Sequence, residues 1–300
     1  MNILPQLHEI NAQAHTATIH PSSLTWPDQF DDQELDFLSR VAFGESGHTQ
    51  KAIVYITKEL AQLAEIERHV SAVLTYVLAD LQSHDDNLAA GFALHDALSC
   101  FAAEELHHAN MFYRYVRLVS GRDFKYADNL FNARVALYQC NDSPYVKLSA
   151  LCCSAYIGES VITVFERRTK ALDPDMRFFL TRMLHVHGLD EARHIKTDHF
   201  VFDNVIPFLN VEERRRMKQI LDGTEALNTE LAMRFEAYAK QVFGVDYTAG
   251  NLGHQTQLQL TLKFRDLVFG SPQIRKVDDA MDEADRLLVE GFSHDRQVHA

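Results

Sequence analysis

Glu104-Glu105-Leu106-His107-His108 and Asp190-Glu191-Ala192-Arg193-His194 are one pattern written twice: an acidic residue, then Glu-x-x-His. On a helix, residues three apart share a face about one turn apart, so each Glu and His can converge on one ion. A single Glu-x-x-His carries little weight. The chain holds another, Glu45-Ser46-Gly47-His48, interrupted by glycine and expected in a loop. The two matched copies differ from it because both lie in long helical patterns. The first falls within about 86–120, where Leu94, Leu98, Phe101, Phe112, Val116 and Val119 recur at helical steps up to Gly121. The second falls within about 174–205, opened by Asp173-Pro174 as N-cap and first helical position.

Each copy follows another long helix with a buried-type glutamate. Glu67 shares a stripe with Leu60, Leu63, Val70, Leu74 and Leu78 in a helix of about 49–83. Glu159 shares one with Cys152, Ala155, Ile162 and Glu166 in a helix of about 144–170, opened by Ser143-Pro144. The chain thus reads twice as Glu, thirty-odd residues, acidic-Glu-x-x-His, once per helical hairpin. Around this core, residues 1–31 read as irregular and Asp31/Asp32 open a short helix that Gly44 ends. A connecting helix is expected at about 128–140, a long one at 211–243, and two shorter ones within 255–290. The expectation is one all-α domain over 1–300: a four-helix bundle of about 49–205 with additional helices.

Glu67, Glu105, Glu159 and Glu191 on apolar faces would repel one another and be poorly solvated unless cations neutralised them. Two divalent metals supply +4 against −4, and mixed carboxylate and imidazole donors suit iron or manganese. His108 and His194 complete the two motifs. His187, four residues before Glu191, lies on the same face and is a further candidate ligand. Glu104/His107 is the alternative register to Glu105/His108. The latter face carries Leu98, Phe101, Phe112 and Val116 and matches the second copy. Glu104 and Asp190 are then expected to orient imidazoles across the bundle. Gly188 is expected to ease a close helix approach; His69, His95, His185 and His199 are read as structural or surface residues. Phe101, Phe112, Tyr156 and Phe165 are candidates to line a pocket, with core packing as their competing role.

Composition sets the outer limits. With 29 Lys+Arg against 42 Asp+Glu, a formal charge of −13 argues against nucleic-acid or anionic-membrane partners. Twelve Gly and seven Pro are few for a turn-rich β-protein. No apolar run is expected to reach a membrane span of about 20 residues, and no secretory signal is read at the N-terminus. Cys100, Cys140, Cys152 and Cys153 lack a framework spacing, so reduced thiols and a cytoplasmic location are expected.

The doubled motif with His187-x-x-x-Glu191-x-x-His194 resembles the p-aminobenzoate N-oxygenase (AurF-type) family of ferritin-like di-iron oxygenases, most strongly over residues 50–200. The resemblance implies seven iron ligands: Glu67, Glu105, His108, Glu159, His187, Glu191 and His194. It also implies two iron ions, O2 as co-substrate, an external electron donor, a homodimer, and a small-molecule amine oxidised to hydroxylamine, nitroso or nitro products. A di-iron C–H hydroxylase or desaturase, and a ferritin-like iron-oxidising or iron-binding protein, are the alternatives.

Overall fold

The computed structural model describes residues 4–84, 92–270 and 273–294. Four long helices position everything that follows. α3 (Thr49–Leu81) pairs with α4 (Phe92–Ser120), and α6 (Pro144–Leu172) pairs with α7 (Phe179–Asn204). The hairpins join through α3 against α6 and α4 against α7, closing a four-helix bundle. The apolar stripes meet inside: Leu60, Val70, Leu74, Leu98, Phe112, Cys152, Ile162 and Leu184 are all buried. The start expected for α4 at 86 lies outside the described residues. Among the described residues there are helices and no strands.

The remaining helices pack around this bundle. α1 (Leu4–Gln13) and α2 (Asp32–Phe43) precede it, and the short α5 (Phe131–Ala136) lies in the link between the hairpins. α8 (Val211–Phe243), α9 (Leu252–Phe269), α10 (Val277–Ala280) and α11 (Glu283–Ser293) follow it. Both α8 and α9 lie on α6. The fully buried Arg168 of α6 donates to Val41 O at 2.9 Å and to Phe292 O at 2.7 Å, tying α6 to the end of α2 and to α11. Asp31 caps α2 through Glu34 N, and Gly44 ends it at φ 76°, as the sequence predicts.

Several sequence expectations need correction. Residues 1–31 are not all irregular: α1 and a short 3-10 turn at Pro21–Ser23 form there. A ten-residue helix is marginal alone. Burial of Leu7 and Ile10 beneath α4 and α7 supplies about 1.5–3 kcal/mol each. α7 begins at Phe179 rather than 174, because the Asp173 carboxylate instead accepts from Arg177 N and Phe178 N, both at 2.9 Å. The free amides of α7 are capped from a distance, by Glu34 of α2 accepting from Phe179 N at 2.7 Å and Leu180 N at 2.9 Å. The connecting helix shrinks to α5, and 255–290 resolves into α9, α10 and α11 rather than two helices. α6 is long and apolar enough to cross a membrane by length and composition, with mean hydropathy 1.6, contrary to the expectation. It is nevertheless largely buried as the bundle's core helix.

Candidate metal centre

Each bundle helix delivers side chains to one level of the interior. Glu67 comes from α3, Glu105 and His108 from α4, Glu159 from α6, and His187, Glu191 and His194 from α7; none is more than 7 % exposed. Glu67, His108, His187 and Glu191 present ligand-type atoms within 4.8 Å of one another, and so do Glu105, His108, Glu191 and His194. His108 and Glu191 belong to both groups, so the geometry offers two adjoining positions. Glu159 faces the same hollow, which Glu67, Glu105, Glu159 and Glu191 line together.

The histidines show a consistent division between their two nitrogens. Toward the centre, His108 Nδ1 lies 3.2 Å from Glu191 Oε1, His194 Nδ1 3.0 Å from Glu105 Oε1, and His187 Nε2 3.0 Å from Glu191 Oε1. Away from it, His108 Nε2 donates to Asp190 at 3.1 Å, His194 Nε2 to Glu104 at 3.0 Å, and His187 Nδ1 to Glu166 at 3.0 Å. A carboxylate holding the outer N–H fixes the ring and leaves the inner lone pair free for a cation. Glu104 and Asp190 thus take the places the sequence predicts, each across the bundle from its own helix. His107 turns away against the His20 ring, with centroids 4.8 Å apart.

The donor set fits a metal pair. Both Glu159 oxygens, Glu191 Oε1, His108 Nδ1 and His194 Nδ1 are buried without a hydrogen-bond partner, a costly state that bound cations would relieve. The protonation pattern carries the same strain. Burial, then the Glu67 carboxylate, drives Glu105 well above the usual carboxylate range; burial, then Asp198, does so for Glu159. Burial raises Glu67 too, but Glu105, His108 and His187 beside it outweigh that and hold it at about 2. Burial and His187 pull His108 down, yet Asp190, Glu191 and Glu67 lift it to about 10. Protons are therefore shared among groups that cannot all ionise, and two divalent cations would replace them.

Four further residues complete the surroundings, and the sequence reading assigned them no such place. The Arg193 guanidinium pairs with both Glu104 and Asp190, linking the carboxylates behind His194 and His108, and Thr18 donates to Glu104 at 2.5 Å. Burial lifts the Glu166 carboxyl to about 7 against the opposing pull of His187. Asp198, fully buried beside Glu159, is pushed by burial to about 7. The signal was present, since Glu166 and Asp198 stand two helical turns beyond Glu159 and Glu191 on the same faces. Gly188 admits Glu166: a Cβ there would sit 1.9 Å from Glu166 Oε2.

The other candidates separate. Phe101 stacks on His194 at 3.8 Å between centroids, and Phe112 packs on His187 at 4.9 Å. Phe165 lines a cavity between α6, α8 and α9. Tyr156 does not line it; its hydroxyl accepts from Val277 N at 2.8 Å, and its ring packs on Phe202 and His199. His69 is a buried packing residue against Tyr138, and the Glu45–His48 pair is an exposed loop contact at 3.0 Å.

Solved structures with a similar fold include two of a point mutant of an R2-like ligand-binding oxidase, one reconstituted anaerobically and one aerobically with a Mn/Fe cofactor. Each is 13 % identical, covers 89 % of this chain and 93 % of its own, and superposes with a TM-score of 0.52. That likeness establishes the ferritin-like fold. No curated protein matches the chain. Residues 87–252, which include six of the seven inward-facing residues, match the family described as p-aminobenzoate N-oxygenase AurF. The chain belongs to the AurF family.

Proposed function

We propose that this protein is a di-iron, O2-dependent N-oxygenase that converts a small-molecule amine to a hydroxylamine, nitroso or nitro product. Family membership and the buried carboxylate–imidazole cluster support an oxidase or oxygenase built on a metal pair. The observation that carries the reading furthest is His187: a third imidazole aimed at the cluster and held by Glu166, for which Gly188 leaves room. Glu67, Glu105, His108, Glu159, His187, Glu191 and His194 would hold two iron ions, which supply the redox chemistry that activates O2. Asp190, Glu104 and Glu166 keep the imidazoles oriented, while Phe101 and Phe112 pack against two of the rings and keep water from them. The same proposal includes an external electron donor, a cytoplasmic location and a homodimer.

The test is to expose the reduced, iron-loaded protein to isotopically labelled O2 with aryl and alkyl amines, and to identify products by mass spectrometry. Label on nitrogen is expected, with iron at two per chain. Label on carbon would instead assign a hydroxylase, and large mineral loading without amine products a storage protein.

A further inference from the structure

A cavity of about 370 Å3 lies between α3, α6, α8 and α9. Its inner wall shares Leu63, Ile66, Gly158 and Ile162 with the hollow bounded by Glu67, Glu105, Glu159 and Glu191, so one layer of side chains stands between the cavity and the metal centre. The walls extend over residues 154–165 of α6, 225–236 of α8 and 254–265 of α9. Eleven steps along a helix rise about 16 Å, which makes the cavity a slot parallel to the helices rather than a round pocket.

The slot is apolar along its middle and polar toward its ends. Val161, Ile162 and Phe165 form its floor, and Met233 and Leu258 are half-exposed on the facing lips. At one end Ser154 donates to the buried Glu225 at 2.5 Å; at the other Tyr55 donates to Gln257 at 2.7 Å beside the Lys58–Glu59 pair. Of its three carboxylates, Glu59 is paired with Lys58 at 2.8 Å, Glu236 with Lys240 at 2.9 Å, and Glu225 lies in the field of Arg265. The lining is thus close to charge-balanced, and the choice of an amine rests on the N-oxygenase reading.

Building on the N-oxygenase reading, we infer that the substrate is an elongated, mainly apolar primary amine, with nitrogen at the wall shared with the metal centre and its tail along α6 between α8 and α9. A compact aryl amine at that wall would leave most of the apolar slot to water, which such walls hold poorly.

The experiment uses the iron-loaded full chain and a series of primary alkylamines from butylamine to dodecylamine, with aniline and dodecanoate as comparison ligands. Dissociation constants come from displacement of a fluorescent apolar dye, and products from mass spectrometry. Affinity should rise about fourfold per added methylene until the slot is filled, with dodecanoate weaker than dodecylamine. Ala232→Phe on α8, and independently Thr261→Phe on α9, should cut dodecylamine affinity at least tenfold and butylamine affinity less; thermal melting and iron content report whether each variant is folded. Affinity independent of chain length, dodecanoate binding as tightly as dodecylamine, or indifference to both folded variants would overturn the slot. Tight, length-dependent binding without oxygenated nitrogen would leave the slot standing and defeat the N-oxygenase reading. Oxygenation of aniline with no gain from chain length would do the reverse.

Discussion

The two hairpins carry the motif in the same register and differ in what surrounds it. Four residues before Glu191 stands His187; the matching residue before Glu105 is Phe101. Seven residues after Glu191 stands Asp198, against Phe112 in the first hairpin, and seven after Glu159 stands Glu166, against Leu74. Arg193 occupies the place of His107 and is buried, whereas His107 is partly exposed. The first hairpin therefore contributes dry packing, with Phe101 on His194 and Phe112 on His187. The second contributes most of the hydrogen-bonded scaffold, with Glu104 of α4 the first hairpin's share of it. One helix pair tolerates this concentration of buried charge because the other presents hydrocarbon to it, and because Arg193 balances two carboxylates at once.

Substitutions that remove this asymmetry should rank in a definite order. The greatest effect is expected for Glu191→Ala, since Glu191 belongs to both ligand groups: iron content should fall from two toward zero per chain, read by elemental analysis. Next, Arg193→Met removes the cation that Glu104 and Asp190 share, leaving them only His194, Thr18 and His108, a cost of about 3–5 kcal/mol, whereas His107→Ala should stay within about 0.5 kcal/mol; denaturant unfolding separates the two. Converting the second hairpin to the first with His187→Phe should weaken one iron about 10–100-fold and spare the other, visible as two phases in an iron titration. Gly188→Ala should displace Glu166 from His187 and cost about tenfold in the same titration. Glu166→Ala in that background should recover thermal stability, having removed the clash, without recovering the affinity.

The mildest test is pH. Because His108 is lifted to about 10 in the metal-free chain, it is protonated near neutrality and must lose that proton to bind iron. Apparent iron affinity should rise with pH between about 6 and 8, about tenfold per unit for each proton displaced. A flat profile would show that the imidazole is already neutral.

Much of the centre was legible in residue order because its spacing is helical. The doubled Glu…acidic-Glu-x-x-His pattern and the apolar stripes through Glu67 and Glu159 led to the bundle, to the inward-facing set and to the choice of Glu105/His108 over Glu104/His107. The α8 boundaries followed the same periodicity, 211–243 as expected. What escaped was contact between segments distant in sequence. α1 forms because α4 and α7 cover Leu7 and Ile10, and α7 starts at Phe179 because Glu34, 145 residues earlier, caps it. Glu166 and Asp198 sat on readable stripes, but an acidic residue two turns from a candidate ligand is as often a surface charge until its burial is known.

The sequence by itself determined the four bundle helices, their inward faces and the side chains that share one level, because a period of 3.6 residues maps order onto direction. Only the tertiary structure decided which carboxylate holds which imidazole, that Arg193 balances both outer acids, and that α8 and α9 leave a slot beside the centre. Those facts depend on how independent helices pack against one another, and no local period records that.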